Sequence, residues 1–215
     1  MPVLIEAYGD STTEGAIFDG ERVLVFPEQS EPWAVKRILD SEFGIECSVP
    51  NYGVGGAQAI DLICGSAGYR LPWHLQMRES KASIVLINFA HNDYAFLERP
   101  EEGRRVTRFH EFRWNVEHLC KIALEHGIIP VLQEPNPGSR LAVGSALVPY
   151  VEAINEVADQ VGCPVVRQFY RLQQFEGWQG MLSDTVHPGE RMYQLKAQET
   201  AKVLAQLIAS WRLES

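Results

Sequence analysis

The run Val3-Leu4-Ile5-Glu6-Ala7-Tyr8 passes directly into Gly9-Asp10-Ser11-Thr12-Thr13-Glu14-Gly15. A short apolar run closed by a glycine-flanked turn predicts a buried strand over residues 3–8, with Ser11 just past its carboxyl end. In an open α/β sheet, ligands and reacting groups gather beyond the carboxyl ends of the strands. A second stretch, Asp184-Thr185-Val186-His187, stands near the other end of the chain. The question raised by the pair is whether folding brings them together.

Strand and helix signals alternate between these two points. Asp19-Gly20, with Ile17-Phe18 before it and Arg22-Val23-Leu24-Val25-Phe26 after it, is a short-hairpin signal. A helix is predicted over 33–43, ending near Gly44, and a second strand over 45–49. Asn51-Tyr52-Gly53-Val54-Gly55-Gly56 reads as a glycine-rich turn leading into a helix over 57–63. Ala82-Ser83-Ile84-Val85-Leu86-Ile87 is almost uninterrupted in its apolar character, as suits a strand covered on both faces. An amphipathic helix over 108–125 is followed by a strand over 128–133, a helix over 146–160, a strand over 164–166 and a final helix over 190–211. This alternation predicts one α/β domain over 1–215 with a five-stranded parallel sheet between helical layers. The expected strand order is 2-1-3-4-5, a flavodoxin-like arrangement with Ser11 at the switch point beside the third strand.

Composition narrows the function. The net charge of −9 is poor footing for nucleic acid, whose binding rewards neutralisation of phosphates. It also disfavours an anionic membrane surface. No apolar stretch approaches the length of a membrane-spanning helix. Met1-Pro2-Val3-Leu4 shows neither a basic lead nor a cleavage site, so a cytoplasmic location is the default expectation, although a secreted domain without its leader would look the same. Cys47, Cys64, Cys120 and Cys163 have neither zinc-site nor disulfide-scaffold spacing and read as small apolar residues. No pattern marks an oligomer interface.

Taken singly, the polar candidates have ordinary explanations. Ser11 could be a helix cap or turn residue, Asp184 an N-cap beside an exposed histidine, and Asn92 and the glycines of 51–56 plain turn formers. Taken together they suit acyl transfer. A serine hydroxyl is a weak nucleophile that needs a base and donors for the oxyanion. His187 could be that base, since imidazole titrates near neutral pH, and Asp184, three residues earlier, could fix its tautomer. Asn92 in Phe89-Ala90-His91-Asn92-Asp93 follows the third strand and could donate its amide. His91 could bond either substrate or its own turn. Gly-x-Ser-x-Gly, a phosphate-binding Gly-Lys-Ser/Thr loop and His-Glu-x-x-His are all absent, and Gln58 replaces the last glycine of a dinucleotide fingerprint.

In four blocks from Gly9 to His187 the chain resembles the SGNH, or GDSL-type, hydrolases. The resemblance implies that Ser11 is the nucleophile, with Asp184 and His187 completing a triad. It implies an oxyanion hole formed by the N–H groups of Ser11 and Gly56 and the side chain of Asn92, with neither cofactor nor metal. Thr12 stands where many members carry leucine, and Ala90 where the family usually has glycine, placing a methyl group against the Asn92 turn. The Phe-x-His-Asn-Asp string resembles that of carbohydrate acetylesterases. The expected function is thus removal of small acyl groups, acetyl above all, from a carbohydrate. A lipase, lysophospholipase or thioesterase, and a noncatalytic carbohydrate-binding protein on the same fold, are the alternatives. The loop over 94–106 and the Asp19-Gly20 hairpin are expected to shape the pockets.

Overall fold

The apolar run that opens the chain forms the central strand β1, Val3–Gly9, of a mostly parallel sheet. The computed structural model describes residues 2–214, and the side chains of all of these except 141–143 and 212–214. A one-turn helix α1 (Ser11–Glu14) follows, then a hairpin of β2 (Ala16–Phe18) and β3 (Val23–Val25), and helix α2 (Glu31–Phe43). Next come β4 (Cys47–Ser48), β5 (Asn51–Gly53), α3 (Ala59–Cys64), α4 (Trp73–Glu79), β6 (Ile84–Asn88) and α5 (His91–Glu98). The second half runs α6 (Phe109–Glu125), β7 (Ile129–Gln133), α7 (Leu141–Val161), β8 (Val165–Val166), α8 (Phe169–Leu172) and α9 (Glu190–Glu214).

Beside β1 lie β4 and β5 on one side and β6, β7 and β8 on the other, all parallel. That is the order expected from the sequence. Successive residues of β6 serve opposite faces of the sheet, as the strand's period of two requires. Ile84 and Leu86 pack in the core under α2 and α9, whereas Val85 and Ile87 join the core under α3, α4, α6 and α7. Complete burial of a side chain of this size stabilises the fold by about 1.5–3 kcal/mol, which is why the strand reads as an unbroken apolar run.

Three features depart from the expectation. The second strand does not end at Val49, because Pro50 merely interrupts it. Proline has no N–H to donate, yet its carbonyl accepts from Ala7 N at 3.0 Å and pairing resumes at Asn51. The predicted glycine-rich turn is therefore strand up to Gly53. Secondly, the expected loop over 94–106 begins as helix α5, which stops at Arg99, the residue before a proline. Thirdly, α4 and α8 are short helices that the apolar periodicity does not announce. No helix among the described residues is long and apolar enough to cross a membrane. Cys47 and Cys120 are buried and Cys163 is half-buried, but Cys64 is exposed at the end of α3.

Candidate active site

The turn after β1 is a helix capped by its own first acid. Asp10 Oδ1 accepts from Thr12 N and Thr12 Oγ1, both at 2.8 Å, so Asp10 rather than Ser11 is the cap. The Ser11 hydroxyl is left free for another partner. The edge strand clamps this helix from the side, with Asn51 Nδ2 donating to Thr13 O at 2.8 Å. The approach is so close that a Cβ on Gly53 would come within 2.3 Å of Glu14 N. Only glycine allows β5 to lie there.

The partner arrives from the far end of the sequence. Ser11 Oγ lies 3.0 Å from His187 Nε2, and His187 Nδ1 lies 2.7 Å from Asp184 Oδ2. Asp184 Oδ1 also accepts from Val186 N at 2.7 Å and His187 N at 2.6 Å. Burial pushes the Asp184 carboxyl up, but the His187 ring and these two N–H groups outweigh it and hold the carboxyl at about 2. An imidazole so placed can take the hydroxyl proton from one side while a carboxylate steadies its other nitrogen.

The three-residue spacing makes this acid–base turn local, and its neighbours fix where it stands. Ser183 N donates to His187 O at 2.8 Å, and Phe18 N of the hairpin donates to Ser183 Oγ at 2.9 Å. The hairpin therefore docks against the turn. Asn136 Nδ2 donates to Val186 O at 2.8 Å, and Ser139 N to Thr185 O at 3.0 Å. The sequence reading missed Asn136. Its signal was the pair of polar residues Glu134 and Asn136, set among prolines just after β7 and buried.

The three donors expected for an oxyanion are the N–H groups of Ser11 and Gly56 and the Asn92 amide, and the last is partly engaged. The N–H groups of Ser11 and Gly56 have no acceptor among the described residues. Gly56 holds φ +74° in its turn, a conformation that disfavours any side chain. Asn92 Nδ2 donates to Ala57 O at 3.0 Å, which spends one amide hydrogen and leaves the other. That bond ties α5 to the Gly56 turn.

Ala90, just before Asn92, has φ +156° and ψ −36°, a rarely populated region for a residue with a side chain. The methyl group foreseen as a nuisance thus falls on strained backbone. Ala90→Gly should raise unfolding stability by about 1 kcal/mol, net of the freedom that glycine adds to the unfolded chain. Urea denaturation of the two proteins checks this.

His91 must be corrected as a candidate for substrate contact. It is 5% exposed, and neither ring nitrogen reaches solvent. Burial pushes its imidazole down to about 4; the Asp10 carboxylate and the Asn136 side chain oppose this, while Lys196 and His187 reinforce it. A base whose pKa is lowered on folding contributes stability that is complete above its unfolded value of 6.5 and is lost as pH falls towards 4. The gap is worth up to roughly 3 kcal/mol. Unfolding free energy should therefore drop between pH 6.5 and 4, and His91→Gln should flatten that portion of the curve, measured by urea unfolding across the range.

The other carboxylates of these blocks have structural tasks. Asp93 is fully buried, accepts from Ala59 N at 3.3 Å, and is pushed up by burial. No group of three His, Cys, Asp or Glu among the described residues could hold a metal ion. Trp73 is wholly buried, with its Nε1 donating to Leu119 O at 2.9 Å, and offers no ring to a sugar.

The sequence pattern described as the GDSL-like Lipase/Acylhydrolase family matches residues 7–195. No curated relative matches the chain. Among solved structures, the lipase/acylhydrolase from Enterococcus faecalis is similar, with 20% identity and a TM-score of 0.73 over 95% of this chain and 96% of that one. A mutant of Axe2, an acetyl-xylooligosaccharide esterase from Geobacillus Stearmophilus, has 16% identity and a TM-score of 0.74 over 94% and 95% of the two chains. LAE5, an alpha/beta hydrolase enzyme from the metagenome of Lake Arreo, Spain, has 18% identity and a TM-score of 0.73 over 95% and 96%.

Proposed function

Since the chain belongs to the GDSL-like lipase/acylhydrolase family, whose members are generally ester hydrolases, we propose that it is a serine esterase working through an acyl-enzyme. The observation that carries the reading is the continuous contact from Ser11 Oγ to His187 Nε2, and from His187 Nδ1 to Asp184 Oδ2. His187 takes the proton from Ser11 as Oγ attacks the ester carbonyl. The oxyanion is met by the N–H groups of Ser11 and Gly56 and by the free amide hydrogen of Asn92. The carbonyl re-forms, the C–O bond to the alcohol breaks, and His187 returns the proton to the leaving oxygen. Water then attacks the acyl group with His187 as base again, releasing acid and regenerating Ser11.

The substrate we propose is a short acyl group, acetyl first, carried on a carbohydrate. Support comes from the Phe89-Ala90-His91-Asn92-Asp93 string and from the likeness of fold to an acetyl-xylooligosaccharide esterase. Acetylated sugars and 4-nitrophenyl esters of increasing chain length test it, with Ser11→Ala as the blank. The expected result is fastest turnover of acetyl esters and a fluorophosphonate adduct on Ser11. A maximum at long acyl chains would point to a lipase instead, and no adduct with no turnover would remove the esterase reading.

A further inference from the structure

Arg104 is an exposed arginine in a chain with an excess of acid, and it forms no ion pair among the described residues. It is nevertheless held in place from two sides. Its guanidinium carbon lies 5.0 Å from the centre of the Phe96 ring, and its Nη1 donates to Gly56 O at 3.3 Å. Its Nη2 is so near Gly56 that an added Cβ would come within 2.7 Å of it. Phe96 lies one turn along α5 from Asn92, and Asn92 bonds Ala57, the residue after Gly56. Arg104 therefore stands over the turn that carries one proposed oxyanion donor and beside the helix that carries another.

The chemistry of this position favours an anion. A guanidinium has five N–H donors in a planar fork, and the single bond to Gly56 leaves most of them open. The Phe96 ring attracts the cation without neutralising its charge. The acids nearby do not neutralise it either. Glu101 contributes its backbone carbonyl to Arg104 N, and Glu102 forms no ion pair with it. The Glu14 carboxylate accepts from Gly55 N–H and forms no ion pair with Arg104 among the described residues.

We propose that Arg104 recognises an anionic oxygen group on the substrate, so that the preferred ester carries a carboxylate or a phosphate on its acyl or alcohol half. This rests on the serine-esterase reading above, and it names the charge of the substrate that reading leaves open.

Two pairs of esters test it. One is 4-nitrophenyl hemisuccinate against its methyl ester, charged on the acyl side. The other is 4-acetoxyphenyl phosphate against 4-acetoxyanisole, charged on the alcohol side. In at least one pair, Arg104→Gln should lower the ratio of kcat/KM for the charged ester over the neutral one by about fivefold, the scale of an exposed charge contact. Raising the salt to 0.5 M should shrink the wild-type ratio in the same pair. Ratios that stay put in both pairs overturn the proposal, and so does an equal loss on both members of each pair, the mark of a purely structural brace on Gly56. A readout without turnover separates this from the esterase reading. Calorimetric binding of 4-acetoxyphenyl phosphate to the Ser11→Ala protein should weaken about fivefold when Arg104→Gln is added. Failure of the esterase reading would show as no turnover of any member and no adduct on Ser11, with the calorimetry then deciding the role of Arg104.

Discussion

Ser11→Ala should lower kcat for ester hydrolysis by about 10⁴-fold or more, with the fold intact. The loss is large because the Ser11 hydroxyl is the one in contact with His187 Nε2. Thr12 Oγ1 is already bonded to Asp10 Oδ1 at 2.8 Å. The fold survives because the cap of α1 belongs to Asp10, whose bond to Thr12 N does not involve the serine side chain. His187→Ala should match the single loss within an order of magnitude, and the double variant should fall little further, because hydroxyl and imidazole act as one unit. Additive losses in the two single variants would separate them. Single-turnover kinetics with 4-nitrophenyl acetate, together with near-ultraviolet circular dichroism, make the measurement.

Asn92→Ala should reduce kcat by about 10²–10³-fold with a smaller change in KM. That is the usual cost of one donor aimed at charge that develops only in the transition state. The complication is the bond from Asn92 Nδ2 to Ala57 O, which the substitution also removes. The thermal midpoint of the variant should therefore be measured with its kinetics. A fall in kcat that persists well below that midpoint belongs to the lost donor. If kcat changes by less than threefold, Asn92 serves only to tie α5 to the neighbouring turn.

Most of the sheet was legible because burial on both faces writes itself as apolar sequence. β6 is the clearest case, with Ile84 and Leu86 facing α2 and α9 and Val85 and Ile87 facing the other helices. β5 was not legible, since a proline inside an edge strand looks like a strand end. α5 was hidden for a similar reason, because His91, Asn92 and Asp93 are turn formers by composition and the helix they open has only eight residues. Buried polar pairs were the hardest. Lys196 on α9 reads as an ordinary solvent-facing lysine, yet it is wholly buried and 3.1 Å from Glu31 Oε2 of α2. Pairing explains how such charges can be buried, but sequence periodicity does not reveal the partner. The candidate site was readable as separate blocks at strand ends. The contact of Ser11 with His187 spans 176 positions, and only the family resemblance joined them before the fold did.

The same separation bears on synthesis. The strand that leads into Ser11 is made early and can begin to fold while the chain is still being extended. His187 and the helix that follows it emerge much later, and Tyr193 of that helix donates its hydroxyl to Ala16 O at 2.9 Å beside the hairpin. On the mechanism proposed above, a nascent chain on the ribosome carries an unactivated hydroxyl until the His187 turn and α9 have docked. Acquisition of activity should lag behind formation of the first half of the sheet, making the protein its own reporter of completed folding.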